Sequence, residues 1–163
     1  MNKFDREYFL ETLSLFALTE RVEVVSTSMI RYFINRRLRI TVISIRSGDD
    51  ITDADLASLS QGCPGLHHID IYGCDNVTDV GLASLSQGCP GLHHIDISCC
   101  YNVTDAGLAS LSQGCPGLQH IDLSRCDNVT DAGLASLSQG CHGLCHINIS
   151  YCCLLYTSDA ADE

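Results

Sequence analysis

The chain has 163 residues, 45% of them hydrophobic, with a mean hydropathy of +0.12, which is enough apolar content for one core and too much for global disorder. Its formal net charge is −11, and an acidic body repels phosphate backbones, which argues against nucleic acid as a ligand. No stretch is long and apolar enough to span a bilayer, and MNKFDREYFLETLSLF lacks the apolar run and cleavage site of a signal peptide. A cytoplasmic or nuclear chain with no membrane partner is therefore expected, its eleven cysteines mostly free thiols.

Residues 1–24 read as a helical segment. YFLETLSLFALTERVEVV carries apolar clusters at three- and four-residue spacing without breakers, so Asn2 to Val25 is expected to be helical. Eight of the nine basic residues lie at or before Arg46, leaving that part about +3 and the remainder about −14 by formal count. The cluster INRRLRI reads as a solvated helix end, with cations near the negative pole of the helix.

From Ile51 onward the chain repeats. Ile51, Val77, Val103 and Val129 fall in one register, as do Leu66, Leu92, Leu118 and Leu144, with a period of 26 residues and no gap. Each unit alternates two periodicities. LHHIDI places Ile69 and Ile71 on one face and His68, Asp70 and Tyr72 on the other, which predicts a short strand. VTDVGLASLSQG places Leu82 and Leu85 at helical spacing, with Thr78 or Asp79 to cap the start and Gly88 to close it. One strand and one helix per unit cannot bury a core alone, but stacked units form a parallel sheet lined by helices. Residues 25–50 fit the same phase as a divergent first repeat: Ile40, Ile43 and Ile45 fall in the columns of Leu66, Ile69 and Ile71.

The unit CPGLHHIDIYGCDNVTDVGLASL resembles the cysteine-containing subtype of the leucine-rich-repeat family over about Ile40 to Cys152. The resemblance implies an α/β leucine-rich-repeat solenoid, a horseshoe arc with a parallel sheet on its concave face, helices on its convex face and helices ahead of it. FLETLSLFALTERVEVVSTSMIRYF is similar to an F-box in layout, although the opening Leu-Pro is missing. That resemblance implies the substrate-recognition part of a cullin-type ubiquitin ligase, with a Skp-type adaptor and a cullin as partners. The alternative is a repeat scaffold with no ubiquitin role, whose first helices are only a cap. Residues 51–152 are the repeats proper. Residues 153–163, CLLYTSDAADE, match the translation of a transposase-library adapter and are set aside from fold reasoning. The repeat stack is then expected to end in an uncapped apolar face and an open strand edge, and to aggregate or dimerise.

Two cysteine columns, Cys63, Cys89, Cys115, Cys141 and Cys74, Cys100, Cys126, Cys152, sit at opposite ends of the strands. The resemblance implies that they are buried turn fillers; zinc or disulfide is the alternative. Cys99 reads as a surface residue outside these columns. Asn76, Asn102, Asn128 and Asn148 head Asn-x-Thr/Ser triplets, read here as structural positions. The expected partner surface is the concave grid: His68, Asp70 and Tyr72; His94, Asp96 and Ser98; His120, Asp122, Ser124 and Arg125; and His146, Asn148, Ser150 and Tyr151. Tyr72, Arg125, Tyr151 and Cys99 individualise it. The grid is a polar protein-binding face or, in its sharper reading, a pH-sensitive or metal-binding surface. No cofactor, no dedicated metal site and no catalysis are expected, because repetition places every His, Cys and Asp in an equivalent environment, whereas an active site needs unlike groups converging.

Overall fold

The computed structural model describes residues 21–24, 30, 39–46 and 51–153. Most of the helical segment at residues 1–24, and all but Cys153 of the tail, lie outside the described residues. Among these, six strands form one parallel sheet in sequence order: β1 (Arg21–Val24), β2 (Val42–Arg46), β3 (His68–Tyr72), β4 (His94–Asp96), β5 (His120–Asp122) and β6 (His146–Asn148). Four ten-residue helices connect the later strands: α1 (Asp53–Gly62), α2 (Asp79–Gly88), α3 (Asp105–Gly114) and α4 (Asp131–Gly140).

Register follows the repeat. Ile43 pairs with Ile69, Ile69 with Ile95, Ile95 with Ile121 and Ile121 with Ile147. One correction concerns the chain start: the helical reading of Asn2–Val25 fails over Arg21–Val24, which is strand β1, parallel to β2 with Val22 opposite Ile43. RVEV alternates apolar and polar residues with β-branched valines, a strand pattern only four residues long. Helical spacing in the longer window hid it, and the unpaired edge of β2 supplies backbone partners that decide for the strand.

Strand isoleucines and helix leucines meet in a single core. Ile43, Ile69, Ile95, Leu56, Leu82 and Leu108 are fully buried, each such side chain stabilising the fold by about 1.5–3 kcal/mol relative to exposure. Cover fails at β6, where Ile147 is 46% exposed while its column mate Ile95 is 0%. No further described strand pairs beyond β6.

Polar contacts between repeats are as regular as the core. Thr78 caps α2, its hydroxyl accepting from the Val80 amide, so the helix's own Asp79 is free to act elsewhere. The Asp53 carboxylate of α1 accepts from the Thr78 amide (2.8 Å), the Thr78 hydroxyl (2.7 Å) and the Gly81 amide (3.0 Å) of the next repeat. Asp79 does the same for Thr104 and Gly107, and Asp105 accepts from the amide and hydroxyl of Thr130. A Cβ on Gly107 would lie 2.6 Å from Asp79 Oδ1, which explains glycine at that column. In α1 the column holds Asp55 instead. Its carboxylate accepts from the Thr52 amide and hydroxyl at 3.1 and 2.8 Å, the atoms that a preceding repeat's aspartate serves everywhere else. Asp55 thus does within its own repeat what the preceding repeat's aspartate does elsewhere; one period before Asp53 the sequence has Thr27.

The cysteine columns are buried free thiols. They are also donors: Cys89 Sγ to the Cys63 carbonyl, Cys100 Sγ to Ile71 and Cys126 Sγ to Ile97, at 3.4, 3.0 and 3.2 Å. Each thiol adds a bond to a carbonyl of the preceding repeat; those of Cys63 and Ile97 also accept from the Leu66 and Cys100 amides. Asn102 and Asn128 likewise donate to the Asp75 and Tyr101 carbonyls at 2.7 Å.

Candidate functional site

The sheet face opposite the helices carries the histidine row. Parallel pairing places His68, His94, His120 and His146 side by side, and their rings stack at centroid distances of 4.0, 5.6 and 4.5 Å. Burial, and then repulsion from His68, hold His94 below the ordinary imidazole value against the pull of Asp70, Asp96 and Asp122. His120 is likewise lowered, by desolvation first and then by His146 and His94. At His94 desolvation and the neighbouring ring outweigh the flanking carboxylates, which favour the protonated form.

The aspartate row is not uniform. Asp122 accepts from the Ser124 amide and hydroxyl at 2.8 and 2.6 Å, and Asn148 donates to its other oxygen at 2.8 Å. Asp96 is held by the amide and hydroxyl of Ser98 in the same way. Asp70 has Tyr72 where the others have serine, and its carboxylate lies instead beside two imidazoles, 3.0 Å from His68 Nε2 and 3.7 Å from His94 Nε2. The expectation of equivalent environments therefore fails at Asp70. Ser98 also needs correction as an exposed contact residue, because it is only 4% exposed; its hydroxyl is turned inward to Asp96. Ser124 is half-buried, while Ser150, His146 and Asn148 are exposed.

A third feature lies at the ends of the strands. Gly73, Cys99, Arg125 and Tyr151 occupy one column, and all four have left-handed backbone, φ +67°, +60°, +60° and +64°. Glycine adopts it freely; a side chain there costs about 1–2 kcal/mol. The amides of the first three donate to the carbonyls of Ser98, Ser124 and Ser150 at 2.9, 2.9 and 3.0 Å, so the sheet ladder fixes the conformation. Arg125 lies over the Tyr151 ring at 5.4 Å, a cation–π contact. Cys99, expected on the surface, is 9% exposed, and interaction with its side chain is the first cause that raises the pKa of the Tyr72 and Tyr101 phenols. Tyr72, Tyr101 and Tyr151 remain 49%, 42% and 73% exposed around it. Tyr101 was not legible as a site residue, since nothing in its own repeat position marks it.

Comparison with known proteins agrees with this geometry. A family model described as a leucine-rich repeat matches residues 114–138. The fold is a leucine-rich-repeat solenoid. Among 45 matching chains of solved structures, one from the crystal structure of the Rad7 and Elc1 complex in yeast superposes with a TM-score of 0.68 at 18% identity. The match covers 82% of this chain and 35% of that one, so the chain spans about a third of that protein's length. No curated protein matches as a relative. No helix among the described residues is long and apolar enough to cross a membrane.

Proposed function

We propose that this solenoid is a protein-recognition module whose partner seats across the His/Asp face and the Tyr–Arg rim beside it. The rim carries the reading. Tyr72, Tyr101, Arg125 and Tyr151 belong to the residue types that dominate binding hot spots, and three of the four residues in the adjoining column accept left-handed backbone without being glycine. Backbone held in unfavourable regions concentrates where recognition or chemistry needs it. The excess of acids after Arg46 favours a partner with a basic contact surface.

The finer reading makes that partner a substrate and the chain the substrate-holding arm of a cullin-type ubiquitin ligase, docked through a Skp-type adaptor. It is supported by the F-box-like stretch and by the likeness to a solenoid crystallised with a second protein. One observation favours the plain scaffold instead: Arg21–Val24, inside that stretch, is a strand of the sheet. Co-expression with a Skp-type adaptor and pull-down separates the two. A stable complex supports the ligase arm, and its absence removes the ubiquitin role while leaving recognition by the concave face intact.

A further inference from the structure

We propose that His68, Asp70 and His94 bind a divalent transition-metal ion, with Zn²⁺ as the representative, on the open face of the sheet. This goes beyond the recognition reading and does not depend on it. Two imidazoles and one carboxylate form a donor set suited to borderline-soft divalent ions, and their ligand atoms all lie within 4.8 Å of one another. Around a tetrahedral zinc with bonds of about 2.0–2.1 Å, neighbouring donors stand about 3.3 Å apart. The observed separations of 3.0 Å from His68 Nε2 to Asp70 Oδ1 and 3.7 Å from His94 Nε2 to the same oxygen bracket that value. The two rings are nearly parallel, 4° apart, so binding splays them to aim both lone pairs at one ion. Rotation about the broad terminal torsion of histidine provides this.

The triplet His-Ile-Asp occurs three times, yet only at Asp70 among the described residues does the carboxylate lie against two imidazoles rather than a serine. Ser98 and Ser124 take the carboxylates of Asp96 and Asp122. Tyr72 has no short hydroxyl to reach back, so Asp70 turns to the imidazoles. A single exception in the serine column thus separates the three copies. Beside Asp70 in register lies Ser44 of β2, whose buried hydroxyl has no hydrogen-bond partner among the described residues. Buried hydroxyls are rarely left without a partner, so this one marks the strand beside Asp70 as a place where a polar ligand is wanted.

A competing group, His120, Cys145 and His146, also brings its ligand atoms together, but Cys145 and His146 are exposed and the nearby Asp122 is already engaged by Ser124 and Asn148. Zn²⁺ titration by calorimetry tests the assignment in the full chain, with the exposed thiols removed as Cys145→Ser and Cys153→Ser. One ion per chain is expected. His94→Ala and Asp70→Ala should each weaken binding at least about tenfold, as should Tyr72→Ser, which rebuilds the serine clamp on Asp70 without deleting a ligand. His120→Ala should leave the affinity unchanged, and circular dichroism of each variant reports folding. No heat at millimolar Zn²⁺, or equal affinity in His94→Ala and the parent, overturns the proposal. So does loss of binding in His120→Ala with retention in His94→Ala.

Discussion

The Asp79 carboxylate of one repeat holds the helix start of the next: it accepts from the Thr104 amide at 2.8 Å and from the Thr104 hydroxyl at 2.7 Å. A third bond comes from the Gly107 amide at 3.0 Å. Hydrogen bonds to a charged acceptor are worth more than neutral ones, and deleting the acceptor strands donors at a helix N-terminus. Asp79→Ala should therefore destabilise the solenoid by about 1–3 kcal/mol in urea unfolding. An effect within measurement error would mean that the Asp–Thr ladder is ornamental.

The helix ends make a second, steric test. A Cβ on Gly88 would lie 2.5 Å from the Ser60 carbonyl oxygen of the preceding repeat, whereas Gly65 has open space around it. Gly88→Ala has to push two helices apart and should lower stability by about 1–3 kcal/mol, with Gly65→Ala within about 0.5 kcal/mol of the parent. Similar values for the two would contradict the close packing of successive helices.

Thiol chemistry should divide by burial. Desolvation raises Cys63 to about 11 and Cys89, Cys100 and Cys115 to about 12, so these groups are protonated and inert at neutral pH. Native alkylation followed by mass spectrometry should modify the exposed Cys145 and Cys153 first and the two columns only after unfolding. A raised folded-state value means the stabilisation is complete below the ordinary thiol value of 9.0 and is lost as pH rises toward 12. Alkaline titration should thus unfold the chain within that window. Constant stability up to pH 12 would count against thiols buried in their neutral form.

The left-handed column predicts a trade between stability and recognition. Arg125→Gly relieves a conformation that costs a side chain about 1–2 kcal/mol, offset by the greater freedom of glycine in the unfolded chain. The variant should match or slightly exceed the parent in melting temperature and lose partner affinity, since the cation–π contact with Tyr151 goes with the guanidinium. A marked drop in melting temperature would show that Arg125 is held for stability instead.

By itself the sequence determined the repeat, its 26-residue period, the strand and helix in each unit, the side of the sheet that carries histidine, and the two thiol columns. These follow from periodicity and identity, because translation by one unit forces every copy into the same setting. It could not show which copies depart from that rule. Asp70 differs from Asp96 only through Tyr72 two residues on, and the difference lies in where a carboxylate turns once a hydroxyl is absent. Cys99 looked exposed because its column had no apolar pattern, whereas the left-handed turn leaves it buried. Arg21–Val24 read as helix because local spacing dominates a short window, and only the open edge of β2 made it a strand. Cross-repeat contacts such as Asp53 with Thr78 were invisible for the same reason. They join residues about one unit apart, and only the packed stack brings those atoms within hydrogen-bonding distance.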